Sequence, residues 1–220
     1  MKKTIFFYDL DGTIIDSSVG ITRAVQYSLN KFGIQVDDVK SLYKFIGPPL
    51  WSSFMDFYGF SKDKADLGVE YFREYYSEKG ILENTLYEGI GEMLKYQRES
   101  GIRIALTTSK PMLYANKIME YFELDQYFEL IGGSELNGDR SEKDMVIQYA
   151  LDEMKITQND EIVMIGDRKF DIIGSKKFGI DSIGVLYGYG SENELNSAGA
   201  NYIVNSVLEL DMKLRELGKI

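Results

Sequence analysis

The chain has 220 residues and a formal charge of −10, from 25 Lys and Arg against 35 Asp and Glu, and it contains neither histidine nor cysteine. That length can bury one large core or a core plus a smaller insert, and the acidic balance argues against a nucleic-acid polymer as partner, because phosphate-backbone binding needs a basic stripe. Without imidazole or thiol there is no His triad, His-ligated zinc or cysteine chemistry, so any catalysis runs on carboxylates, Lys, hydroxyls or a hard metal.

No apolar run approaches a membrane span. With no signal-peptide core and no cysteine, the expectation is a cytoplasmic protein that needs no membrane.

The first predicted element is a buried strand, Thr4-Ile5-Phe6-Phe7-Tyr8, which ends abruptly in Asp9-Leu10-Asp11-Gly12-Thr13. In an extended segment residues i and i+2 point the same way, so Asp9 and Asp11 could share one pocket. Two anions that close call for a divalent cation, a shared proton or a nearby Lys.

From Ser17 to Phe32 the period changes to that of a helix, with Ile21, Ala24, Val25, Leu29 and Phe32 in step, Ser17 or Ser18 as N-cap and Gly33 as the stop. A second helix is predicted from Asp37 to Ile46, ended by Gly47-Pro48-Pro49. A third carries Trp51, Phe54, Met55 and Tyr58 and stops at Gly59, and a fourth runs from Ser61 to about Lys79. No strand separates these four helices, so a helical domain is expected at 16–82.

Beyond Glu83 strands and helices alternate. The predicted strands are Arg103–Thr108, Phe128–Ile131, Glu161–Ile165, Ser182–Leu186 and Asn201–Val204. Helices are expected at 88–100, from Pro111 to Phe122, from a Ser141 cap to Met154, at 170–178, at 191–198 and on to Leu217. Such alternation implies a parallel sheet with helices on both faces. The opening strand joins this sheet, so the core is 1–15 with 83–220 and the helical domain is an insertion that leaves just after Asp9 and Asp11.

In such a sheet the loops after the strands open on one edge. The exits are Asp9–Thr13, then Thr107-Thr108-Ser109-Lys110, then Gly166-Asp167-Arg168-Lys169-Phe170-Asp171, and Lys143 at a helix start can point to the same edge. Mg²⁺ takes oxygen ligands and keeps waters, so Asp9, Asp167 and Asp171 with a backbone carbonyl would hold it. The cation and a lysine would let a phosphate approach an acidic pocket. One carboxylate can attack phosphorus while a second transfers protons, and Thr108 or Ser109 with loop amides can bind the equatorial oxygens.

At this point the residues resemble the haloacid dehalogenase superfamily, over nearly the whole chain. The family's Asp-x-Asp-Gly-Thr stands as Asp9-Leu10-Asp11-Gly12-Thr13, its strand ending in Thr or Ser as Ile104–Thr108, its isolated lysine as Lys143, and its Gly-Asp with a further acid as Gly166-Asp167 and Asp171. The resemblance implies an α/β fold, a Rossmann-like parallel sheet with a four-helix cap inserted after the first motif. It implies Asp9 as nucleophile, Asp11 as acid/base, and Thr108 and Lys143 as phosphate ligands, with Lys143 also steadying the nucleophile. Magnesium would be held by Asp9, Asp167, Asp171 and the Asp11 carbonyl.

The helical insert, Asp16-Ser17, Ile46-Gly47-Pro48-Pro49-Leu50 and Gly184–Gly190 resemble the phosphoglycolate phosphatase-like branch. The implied function is a Mg²⁺-dependent phosphatase acting on a small phosphate monoester. Nucleotidases, sugar-phosphate phosphatases and a phosphosugar mutase are the alternatives. Ser109 and Lys44 are further candidate substrate contacts, with Tyr43 and Trp51 beside Lys44, and a monomer or homodimer is expected. Asp11 counts against a dehalogenase, which has no leaving alkoxide to protonate, and the full acid set counts against a non-catalytic module.

Overall fold

A computed structural model describes residues 2–220 as two compact units, one formed by the chain up to Ile15 with Leu86–Ile220, the other by Asp16–Thr85. In the first unit, β1 (Ile5–Tyr8) is buried at every position because strands flank it on both sides and helices cover both faces, so its apolar residues do not alternate with polar ones. It pairs in parallel with β4 (Arg103–Pro111) and β6 (Ile162–Gly166). With β5 (Leu130–Ser134), β7 (Asp181–Val185) and β8 (Tyr202–Val204), the sheet order is β5-β4-β1-β6-β7-β8. The short strands β2 (Ile15–Asp16) and β3 (Thr85–Leu86) fall where the chain passes from one unit to the other.

One face of the sheet is closed by α6 (Lys143–Glu153), whose Ile147, Ala150 and Leu151 pack with Ile5, Phe7, Ala105, Ile162 and Met164. On the other face, Tyr8 donates its hydroxyl to Gln97 of α4 (Ile90–Glu99) at 2.9 Å, and Phe6 lies against the end of α9 (Val207–Gly218). The helices α5 (Met112–Tyr121), α7 (Lys169–Lys176) and α8 (Glu192–Ala198) complete the unit.

The register places the site. Tyr8 pairs with Leu106 on one side and Ile165 on the other, so Asp9, just past β1, stands level with Thr107 and Gly166 of its neighbours. The Asp9 N–H still donates to Ile165 O at 2.9 Å. In open α/β sheets this edge, where neighbouring crossovers diverge, is where ligands bind.

The second unit contains α1 (Ser18–Lys31), α2 (Leu50–Tyr58) and α3 (Lys62–Tyr76). The helix expected from Asp37 to Ile46 is a 3₁₀ segment, Val39–Phe45, capped by Asp38, whose carboxylate accepts from Lys40 N–H. Phe45, Phe54 and Phe60 form its aromatic centre, and α1 is tied to α3 by Ser28 Oγ donating to Gly68 O at 2.7 Å.

Other boundaries differ from the sequence reading. Strand β5 starts two residues late, and α6 begins after Glu142, not at a Ser141 cap. At the start of α1, Ser17 takes the N-cap position expected of it, while the side chain that accepts there is Asp16 Oδ1, from Ser18 N–H. Among the described residues no helix is long and apolar enough to cross a membrane.

Candidate active site

Immediately after β1 the chain turns sharply. Leu10 O accepts the N–H groups of Thr13, Ile14 and Ile15, and the Gly12 N–H donates to Ile15 O at 2.8 Å. Gly12 has φ +83°, and a Cβ there would collide with the Asp167 carboxylate, so both the backbone and the space demand glycine. This turn leaves Asp9 and Asp11 buried, at 4% and 7% exposure.

Asp9, Asp167 and Asp171 offer oxygens that all lie within 4.8 Å of one another. Lys143, at the first position of α6, reaches Asp9 Oδ1 and Asp171 Oδ1, each at 2.8 Å, and donates to Thr107 O at 2.8 Å. Asp171 is fixed from its other side, since Oδ2 accepts from Arg168 N–H at 3.0 Å. Asp167 Oδ2 accepts from Tyr189 N–H at 2.8 Å, while its Oδ1 is buried with no hydrogen-bond partner.

Electrostatics follow from burial. Asp9 is pushed up to about 6, chiefly by loss of solvation; Lys143 opposes this, and the neighbouring Asp171 and Asp11 carboxylates add to it. Asp167 is raised well above the ordinary carboxylate range by burial and by Asp171 and Asp9. Burial works against the Lys143 ammonium, but Asp171 and Asp9 overcome it and raise its pKa.

These residues suit a hard divalent cation. Three buried carboxylates face a single ammonium, the donors are all oxygen, and Asp167 Oδ1 is an acceptor with nothing to accept from.

The other candidates are placed as follows. Asp11 lies outside the three-carboxylate cluster, and its two oxygens are each 2.8 Å from Lys110 Nζ. Thr108 is buried, and its Oγ1 accepts from Lys110 N–H at 3.2 Å, which leaves its own O–H available to donate. The Thr107 hydroxyl is turned into the core toward Tyr8 O and Met164 Sδ. Ser109 is half-buried, and its carbonyl accepts from Ser134 Oγ at 2.8 Å. Lys44 belongs to the helical unit, where its ammonium lies over the Phe57 and Tyr58 rings at 4.8 and 5.3 Å; Trp51 there donates to Asp66 Oδ1.

Two parts of the site carried no assignment from sequence. Lys110 was read only as the end of a strand exit, and its signal was a lysine between a hydroxyl pair and a helix-starting proline. The segment Tyr187–Gly190 lies against the acids. The Tyr187 hydroxyl donates to Thr13 O at 3.0 Å, and a Cβ on Gly188 would fall on Gly12 O and Asp167. Its signal was the Tyr-Gly-Tyr-Gly alternation, where two glycines admit close backbone approach.

Comparison with known proteins places these features in context. A family model described as haloacid dehalogenase-like hydrolase matches residues 5–185. The chain is 41% identical over 190 residues to a 5'-nucleotidase of Pseudomonas aeruginosa, covering 86% of each. It is 31% identical over 202 residues to the tyrosine-protein kinase PtkA of Mycobacterium tuberculosis, covering 92% of this chain and 68% of that one. A phosphoglycolate phosphatase of Colwellia psychrerythraea is 26% identical over 222 residues, covering 97% and 98%. The crystal structure of a predicted phosphatase from Clostridium acetobutylicum superposes with a TM-score of 0.96 at 48% identity, covering 98% of this chain and 100% of that one.

Proposed function

The chain belongs to the haloacid dehalogenase-like hydrolases, and from that premise we propose that it is a Mg²⁺-dependent phosphatase that hydrolyses a small phosphate monoester through an aspartyl phosphate on Asp9. The observation that carries this reading is the buried Asp9 carboxylate, held by Lys143 beside Asp167 and Asp171. The 5'-nucleotidase at 41% identity favours a nucleoside 5'-monophosphate as substrate. Phosphoglycolate is the second reading, supported by the more distant phosphoglycolate phosphatase.

Asp9, Asp167, Asp171 and the Asp11 carbonyl would hold Mg²⁺, which supplies charge neutralisation for the phosphoryl oxygens when bound. Lys143 keeps Asp9 oriented and adds a second positive charge. Asp9 attacks phosphorus, the bond to the ester oxygen breaks, and Asp11 gives its proton to the departing alcohol. Asp11 then takes a proton from water, whose oxygen attacks phosphorus and releases Asp9 and inorganic phosphate. Thr108 and Ser109 donate to the equatorial oxygens.

The test is phosphate release from nucleoside 5'-monophosphates, phosphoglycolate, sugar phosphates and p-nitrophenyl phosphate, with Mg²⁺ and with EDTA. Mg²⁺-dependent release that prefers one compound supports the reading and names the substrate. No release from any of them, by folded protein, would sink it.

A further inference from the structure

We propose that Lys110 is the positioning residue of Asp11, holding the proton-transferring carboxylate in place as Lys143 holds the nucleophile. The inference rests on the role given to Asp11 above. A proton carrier must stand within hydrogen-bond reach of the ester oxygen, and a displacement of about 1 Å can cost roughly 10²-fold in rate.

The turn after β1 fixes the Asp11 backbone, since Leu10 O and Ile15 O together accept four of its N–H groups. It does not fix the side chain, which can still rotate about two bonds. Lys110 Nζ at 2.8 Å from both oxygens removes that freedom. The Lys110 and Asp11 side chains are only 6% and 9% exposed, so water does not compete for the pair.

Lys110 is itself anchored. Its N–H donates to Thr108 Oγ1, the preceding carbonyl accepts from Ser134 Oγ, and Pro111 next to it pairs with Ser134 of β5. The ammonium therefore reaches across from the end of β4 to the turn after β1. A buried ion pair contributes little net stability compared with well-packed apolar residues, so the contribution of this pair is geometric. Two lysines thus divide the work, Lys143 on Asp9 and Asp171, Lys110 on Asp11.

The experiment compares the wild type with Lys110→Met, Lys110→Arg, Asp11→Asn and the Asp11→Asn/Lys110→Met double variant. Each is assayed on p-nitrophenyl phosphate and on an alkyl phosphate with a poorer leaving group, with melting curves to verify the fold. Lys110→Met is expected to lower kcat on the alkyl ester roughly 10–100-fold, with a smaller loss on the aryl ester. KM, inhibition by inorganic phosphate and the Mg²⁺ midpoint should stay within about twofold. Lys110→Arg keeps the charge with a longer fork and should fall between the two. The double variant should be no slower than Asp11→Asn alone, because removing the positioner of an absent group costs nothing further.

Equal losses on both esters would overturn the proposal, as would a raised KM and weakened phosphate inhibition, which would make Lys110 a substrate ligand. Losses that multiply in the double variant would overturn it too. If Lys110→Met fails to fold, the Arg and double variants decide, since the double variant carries no unpaired charge. An Asp11→Asn enzyme with wild-type rates would instead refute the role of Asp11 itself.

Discussion

The backbone N–H of Tyr189 donates to Asp167 Oδ2 at 2.8 Å, so one oxygen of this carboxylate is committed to the protein and the other, Oδ1, is left buried and unpartnered. The strap that supplies the N–H can approach only because Gly188 has no side chain. Gly188→Ala should push it away and weaken Mg²⁺ activation roughly 10–100-fold, the usual cost of disturbing a group that orients a metal ligand. A Mg²⁺ titration of activity reads this, and an unchanged midpoint would refute it.

Asp9→Asn should lower kcat by roughly three orders of magnitude or more, since an amide cannot form the acyl phosphate. The melting temperature should not fall, because removing one of three crowded carboxylates relieves repulsion. Wild-type turnover in this variant would mean that another group attacks phosphorus.

Lys143→Met should destabilise the metal-free protein by about 3–5 kcal/mol, the cost of leaving buried charges without their partner. Asp9 and Asp171 both lose their ammonium in this variant. Urea unfolding in EDTA checks the magnitude, and Mg²⁺ should restore part of the loss.

Stability should also depend on pH through the acids. Burial raises Asp9 from its ordinary 3.8 to about 6, and raises Asp167 as well. A carboxyl whose pKa is higher folded than unfolded stabilises the fold fully below the unfolded value, and that contribution is lost as pH rises through the folded value. In EDTA the melting temperature should therefore carry a component that falls between about pH 4 and pH 6 and beyond, and the rise produced by Mg²⁺ should be larger at about pH 7.5 than at about pH 5. A Mg²⁺ effect independent of pH would argue against binding at these acids.

Much of the fold was legible because the central strands β1 and β6 are buried at every position and read as continuous apolar runs. Asp9, Lys143, Asp167 and Asp171, picked from three separate segments, lie together. What stayed hidden was pairing across sequence distance. Nothing in Thr107–Lys110 shows that the lysine will meet Asp11, 99 residues away, because the contact depends on β1 and β4 being neighbours in register. The 3₁₀ form of Val39–Phe45 was hidden for a different reason. Its apolar residues satisfy a helical spacing, while Asp38 accepts from Lys40 N–H and tightens the turn at its start.

The central position of β1 bears on how the molecule comes into being. Its two partners arrive from residues 103–106 and 162–165, and the last acid of the cluster is Asp171. These are sequence-distant pairings of the slow-forming kind. During synthesis, residues near Asp9 leave the ribosome before the groups that complete their pocket emerge. A nascent chain therefore holds no assembled carboxylate trio until Asp171 has emerged and the sheet can close.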